Sequence, residues 1–203
     1  MSLFHVEFYS QALSGQVHFN AILPNDLPPM IADNPHYRRP AKTFLLLHGY
    51  SGCETDWLTG SSIRELAAEY NLAVLMPSVG NSFYLNREAT GARYADFVGK
   101  ELPEFARKSF GLNIDRENTW IGGLSMGGFG ALHVGLQFPE RFCNIMALSS
   151  ALIQHELPNM KADSENPMAN YAYYQSIFGD LQTAPKRDCN PEVQLLSLLE
   201  SGQ

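Results

Sequence analysis

Short apolar segments alternate with helical patterns along this chain of 203 residues, and this alternation restricts the fold more than any other feature. The segments have the length and composition of strands buried in a parallel sheet. They are Thr43 to Leu47, Leu72 to Met76, Thr119 to Gly122 and Asn144 to Leu148. The helical patterns between them cover Ile63 to Tyr70, Tyr94 to Phe110 and Met126 to Gln137. Such an order predicts a doubly wound α/β sheet that binds ligands beyond the carboxyl ends of its strands.

The two ends of the chain differ from this central pattern. Phe4 to Tyr9 and Gln16 to Ile22 alternate between polar and apolar residues, which predicts an antiparallel hairpin at the edge of the sheet. The last fifty or so residues are polar and interrupted, with further helices predicted only at Tyr171 to Phe178 and Val193 to Leu199. The length favours a single domain over residues 1–203.

A serine lies between two glycines at the point where one predicted strand turns into a helix. The stretch TWIGGLSMGGFGAL holds Ser125 between Gly123 and Gly127. This spacing is typical of a nucleophile elbow, in which the glycines leave room for a serine on a strained, exposed turn. A turn that is glycine-rich only for packing is the alternative.

Acyl transfer at a serine also needs hydrogen-bond donors for the oxyanion of the tetrahedral intermediate. One backbone amide would come from Met126, directly after the serine, and we expect the second from Tyr50 in the loop LLLHGYSGCETDW. The segment Asn81 to Tyr84 follows another predicted strand at the same edge. It either contacts substrate or forms an ordinary polar turn.

Four features together carry a resemblance to a known family: the HGYSG loop after a buried strand, Trp57, the GLSMGG elbow and the preceding IDRENTWI. From Phe4 to at least Phe178, the chain resembles the esterases that include tributyrin esterases and S-formylglutathione hydrolases (esterase D). The resemblance implies an α/β-hydrolase fold and hydrolysis of short-chain esters or thioesters without a metal or organic cofactor. By position, Ser125 would be the nucleophile, Tyr50 and Met126 would supply the oxyanion amides, and Trp57 would line the pocket.

In that family the segment matching YAYYQSIFGD folds over the site and lines the acyl pocket. Here its aromatic residues, from Tyr171 onward, either do the same or simply cover the core.

The triad acid and base are the part of the family pattern that the chain does not show. Both would follow the nucleophile on loops after two further strands, yet nothing after Ser149 has the pattern of a buried strand. We therefore expect the C-terminal strands to be missing and the catalytic acid and histidine to belong to sequence outside these residues. If the chain is the whole protein, we expect it to have lost most of its rate enhancement.

The histidines of the chain offer one substitute for the missing base. His48 is expected to hold the backbone of its loop, and His133 lies roughly 12 Å from Ser125 along the predicted helix. His155 is the remaining candidate, with Asp163, Asp180 and Asp188 as acids that could orient it.

Composition excludes several classes of function. The net charge is −7 without a basic stripe, which argues against nucleic acid and against an anionic membrane surface. There is no metal-ligand spacing and no phosphate-binding glycine loop. A cytoplasmic enzyme for a small-molecule ester is the simplest interpretation, with a homo-oligomer left open. An acyltransferase and a non-catalytic acyl-binding protein are the alternatives.

Overall fold

A six-stranded sheet forms the centre of the protein in the computed structural model, which describes residues 1–26, 29, 33–87, 89–162 and 169–202. The strand order is β1-β2-β4-β3-β5-β6. The pairs β3/β4, β3/β5 and β5/β6 are parallel, whereas β1/β2 and β2/β4 are antiparallel. The predicted sheet with an N-terminal edge hairpin is therefore confirmed. The strands are β1 (Ser2–Ser10), β2 (Gly15–Leu23), β3 (Lys42–Leu47), β4 (Leu72–Pro77), β5 (Thr119–Leu124) and β6 (Asn144–Leu148).

Helices cover both faces of this sheet. Leu45 and Leu47 of β3 belong to one apolar cluster, and Phe44 and Leu46 belong to another, because successive side chains of a strand point to opposite faces. None of the helices in the described ranges is long and apolar enough to span a membrane. The helices are α1 (Asp56–Gly60), α2 (Ile63–Tyr70), α3 (Tyr94–Asp96), α4 (Leu102–Phe110), α5 (Met126–Gln137), α6 (Tyr171–Phe178) and α7 (Pro191–Ser201).

The helical pattern predicted over Tyr94 to Phe110 contains a π-helical turn, Phe97–Glu101, between α3 and α4. The amide of Leu102 donates to the carbonyl of Phe97, one residue further back than in an α-helix. Pro103 follows and has no amide hydrogen to donate, so the regular ladder is already interrupted at this point.

The prediction that β6 is a buried strand is wrong. Within the described residues β6 pairs only with β5, and four of its five residues are exposed. Leu148, at its carboxyl end, is 48% exposed. An apolar run indicates that a strand tends to be buried. Its position at the edge of the sheet depends on the order of the strands, which the run does not show.

Strained backbone is concentrated at the carboxyl edge of the sheet. Seven non-glycine residues of the described chain have a positive φ, and five of them lie in the loops after β3, β4, β5 and β6. Such conformations cost roughly 1–3 kcal/mol each and are typical of functional sites. The five are Ser51, Phe83, Tyr84, Ser125 and Ser149.

Candidate active site

Ser125 occupies a strained turn between β5 and α5. Its backbone has φ 57° and ψ −115°, and its side chain does not cap the helix that follows. Its amide donates to the carbonyl of Leu148 at 2.9 Å, and its own carbonyl accepts the amides of Phe129 at 2.9 Å and Ala151 at 3.0 Å. These three bonds hold the backbone in a conformation that it would not otherwise keep. The hydroxyl of this half-buried residue is left for other partners.

The two glycines of the elbow are required by close backbone contacts. A Cβ atom on Gly123 would lie 2.4 Å from the carbonyl oxygen of Gly127. A Cβ atom on Gly127 would lie 2.3 Å from the carbonyl oxygen of Leu47, at the end of β3. Because neither side chain exists, the first turn of α5 packs directly against β3.

The loop after β3 lies beside the elbow. Leu47 is in register with Gly123 across the parallel β3/β5 pair, so the two loops leave the sheet together. A Cβ atom on Gly49 would lie 3.8 Å from the Cβ of Ser125. Met126 begins α5, where amides lack intrahelical acceptors and carry the positive end of the helix dipole.

His48 fixes the start of this loop. Its Nε2 accepts the amide of Val79 at 3.1 Å, which leaves Nδ1 to donate to the carbonyl of Gly49 at 2.7 Å. Burial lowers the pKa of the imidazole below its ordinary value, so the neutral ring with the proton on Nδ1 is favoured. The prediction that His48 holds backbone is confirmed.

Tyr84 holds the loop after β3 through a hydrogen bond from the protein interior. Its buried hydroxyl donates to the carbonyl of His48 at 2.9 Å, and burial raises the pKa of the phenol. A Cβ atom on Gly130 would lie 2.2 Å from the tyrosine ring, so that glycine makes room for it. Ser82, Phe83 and Tyr84 are buried, so these three residues pack in the interior and do not form an exposed polar turn. A substrate contact of the segment Asn81 to Tyr84 stays a prediction.

Asn81 connects three elements at the carboxyl edge. Its Oδ1 accepts the amide of Ser51 at 2.7 Å. Its carbonyl accepts the hydroxyl of Tyr173 and the Nη2 of Arg87, each at 3.0 Å. Sequence reasoning did not find this role, for which the only signal was an asparagine after a strand of the same sheet.

Trp57 lies in α1 under the loop after β3. Its indole Nε1 donates to the carbonyl of Leu47 at 3.0 Å, and its ring packs against the cluster that contains Phe44 and Leu46. Its role in lining the substrate pocket stays a prediction.

The two interpretations of the segment from Tyr171 apply to different parts of α6. Tyr173 contacts the ring of Tyr50 edge-on, with 5.7 Å between centroids, and so lies at the loop after β3. Ile177 and Phe178 are buried in the main core. The helix therefore covers the core with its last turn and meets the candidate site with its first.

The remaining histidines have partners of their own. His133 is buried, its Nδ1 lies 3.1 Å from Oε1 of Gln194, and burial lowers its pKa to about 4. His155 is exposed, and its Nε2 lies 2.7 Å from Oε2 of Glu192, which is not one of the acids proposed for it.

Within the described residues, no hydrogen bond joins a histidine to the hydroxyl of Ser125. Of the proposed acids, Asp180 and Asp188 are described, and Asp163 lies outside the described residues.

Sequence comparison places the chain in a family. The putative esterase family matches residues 10–179. An acetyl esterase of Caldicellulosiruptor saccharolyticus is 45% identical over 183 residues, which cover 90% of this chain and 69% of the relative. An S-formylglutathione hydrolase of Paracoccus denitrificans (strain Pd 1222) is 33% identical over 146 residues, covering 61% of this chain and 49% of that protein.

Structural comparison agrees with the sequence. The fluorophosphonate-binding serine hydrolase F (FphF) of Staphylococcus aureus superimposes with a TM-score of 0.81 at 28% identity, covering all of this chain and 75% of the other. The resemblance stated from the HGYSG and GLSMGG motifs is thus confirmed. The chain belongs to the putative esterase family of serine hydrolases and is a serine esterase with the α/β-hydrolase fold.

Proposed function

We propose that Ser125 attacks the carbonyl carbon of a short-chain ester or thioester and forms an acyl-enzyme. The observation that carries this proposal is the strained turn of Ser125 directly beside Gly49. That arrangement leaves the hydroxyl outside the helix cap and next to the loop proposed to supply an oxyanion donor.

The oxyanion of the tetrahedral intermediate is bound by the amides of Met126 and Tyr50 in this proposal. A donor contributes most when its position is set before the reaction, and losing one typically costs about 100- to 1,000-fold in rate. The loop that holds Tyr50 is tied down through His48, Ser51 and Gly52, whose amide donates to the carbonyl of Gly49 at 3.2 Å. Such anchoring is what a preorganised donor needs.

The covalent steps follow from these positions. The Ser125 oxygen forms a bond to the carbonyl carbon as its proton passes to a general base. The alcohol or thiol then leaves and takes up a proton, which gives the acyl-enzyme. Water attacks the acyl carbon, releases the carboxylic acid and restores the hydroxyl.

A small acyl group is the proposed specificity. The two curated relatives are named for acetyl and formyl groups, which have two carbons and one. In this chain the aromatic pair Tyr50 and Tyr173 lies at the loop beside Ser125. Rings in this position would restrict the room for a long acyl chain.

The test is hydrolysis of p-nitrophenyl acetate, butyrate and octanoate by the full-length protein and by its Ser125→Ala variant. Ser109→Ala is the matched control, because Ser109 is an exposed residue of α4. We expect acetate to be preferred, Ser125→Ala to reduce the rate to background, and Ser109→Ala to have no effect. Equal rates for the unmodified chain and Ser125→Ala would refute the proposal, and a preference for octanoate would refute the small acyl group.

A further inference from the structure

A cavity of about 620 Å³ lies between α5, α6 and α7. Neither Ser125 nor the proposed oxyanion residues Tyr50 and Met126 line it. Its volume is in the range of small-molecule sites, about 300–1,000 Å³. No step of the proposed ester hydrolysis uses it.

Two arginines line this cavity without a carboxylate partner in the described part of the chain. Arg87 donates through Nη2 to the carbonyl of Asn81 at 3.0 Å, and its guanidinium lies 5.2 Å from the centroid of the Tyr94 ring. Arg187 donates through Nη2 to the carbonyls of Phe178 and Asp180. Both arginines thus use backbone carbonyls as their acceptors and keep their full positive charge.

The other nitrogens of these guanidinium groups have no acceptor among the described residues. No hydrogen bond from the Nη1 of Arg87 or Arg187 is present there, and the Nε atoms of both are buried without a partner. Of these donors only the two Nε atoms are buried, and a buried donor without an acceptor costs free energy. A bound anion would offset that cost.

The rest of the lining favours a ligand that is negatively charged at one end only. Leu136, Ile177 and Phe178 supply an apolar wall. Asp188 is the one acid among the described lining residues, and none of the ion pairs among those residues joins it to either arginine. His133 also lines the cavity and is neutral near pH 7, because burial lowers its pKa to about 4.

We propose that this cavity binds a carboxylic acid with a short apolar chain, its carboxylate between Arg87 and Arg187 and its chain against α5 and α6. The planar fork of a guanidinium matches the two oxygens of a carboxylate. The apolar wall then accounts for selectivity over a free inorganic anion.

Hexanoate is the probe, titrated into the full chain carrying Ser125→Ala so that the esterase reaction plays no part. The imidazole NMR signals separate the two places where it could bind, since His133 lines the cavity and His48 lies in the loop beside Ser125. We expect saturable shifts at His133 and none at His48. Hexanamide, which has the same shape without the charge, should bind at least about tenfold more weakly.

The double variant Arg87→Gln, Arg187→Gln should weaken hexanoate binding by tenfold or more. Arg64→Gln is the matched control, because Arg64 is exposed on α2 and does not line the cavity. The comparison of hexanoate with hexanamide needs no arginine variant. It therefore still tests whether the cavity recognises the carboxylate charge if the double variant does not fold. Equal binding of the two compounds, shifts confined to His48, no shifts at all, or inorganic phosphate binding as tightly as hexanoate would each overturn the proposal.

Discussion

Asn81 accepts the backbone amide of Ser51 through its side-chain oxygen at 2.7 Å, so the loop after β4 holds the loop after β3. Ser51 has φ 60° and directly follows Tyr50, the proposed oxyanion donor. The bond therefore fixes the chain next to a group whose orientation the proposed reaction depends on. Asn81 acts through backbone here and is a positioning residue.

Replacing Asn81 by alanine should lower kcat for p-nitrophenyl acetate about tenfold and leave KM nearly unchanged. The reason is that a misplaced oxyanion donor weakens binding of the transition state and not of the ester. Asn113→Ala is the matched control, because Asn113 makes a similar bond, to the amide of Asp115 at 2.9 Å, outside the site. If KM rises while kcat is unchanged, Asn81 contacts the substrate and does not position the loop.

Replacing Tyr84 by phenylalanine should lower the free energy of unfolding by about 1–3 kcal/mol, because the carbonyl of His48 loses a buried donor. Urea denaturation measures this change. Tyr9→Phe is the control, since Tyr9 is 53% exposed on β1. Equal effects of the two substitutions would show that the Tyr84 hydroxyl contributes nothing to the support of the loop.

The substitution Gly127→Ala separates helix propensity from packing by the sign of its effect. Propensity alone predicts stabilisation of α5 by about 1 kcal/mol. The contact of 2.3 Å with the carbonyl oxygen of Leu47 predicts destabilisation by about 1–3 kcal/mol. Gly60→Ala, at the end of α1, adds its methyl group to open space and should change stability little. A Gly127→Ala protein as stable as the unmodified chain would mean that the elbow and β3 can move apart freely.

Burial of His133 should make stability fall in acid. Its pKa is lowered from 6.5 to about 4 in the folded protein, so the unfolded chain binds the proton first as the pH falls. The stability associated with neutral His133 is complete above about pH 6.5 and is lost progressively down to about pH 4, by roughly 3 kcal/mol in total.

Urea denaturation across this pH range tests the contribution of His133. The free energy of unfolding should depend on pH more steeply for the unmodified chain than for His133→Gln. His18→Gln, at an exposed position, should keep the steep dependence. Identical pH profiles for the unmodified chain and His133→Gln would contradict the lowered pKa of His133 in the folded protein.

The sequence predicts those parts of the fold whose cause is local. Thr43 to Leu47 is a strand because its run of apolar residues is buried on both faces, and the elbow follows from glycines at fixed distances from Ser125. The sequence also predicts that His48 lies in a loop at the carboxyl edge, where its ring holds backbone.

Long-range packing sets the features that the sequence did not predict. Phe83 and Tyr84 have positive φ, a conformation that neither residue type favours, and they keep it inside a buried turn. The exposure of β6 depends on which strand lies beside it. Arg87 and Arg187 are one hundred positions apart along the chain and line the same cavity only because of how the chain packs.

The most direct test of Ser125 as the nucleophile is reaction of the full-length protein with a fluorophosphonate, followed by peptide mapping of the adduct by mass spectrometry. The account predicts a single phosphonyl group on Ser125, absent from Ser125→Ala and from the urea-unfolded chain, and present in Ser109→Ala. A folded chain that takes up no label, or one labelled equally well after Ser125→Ala, would contradict it.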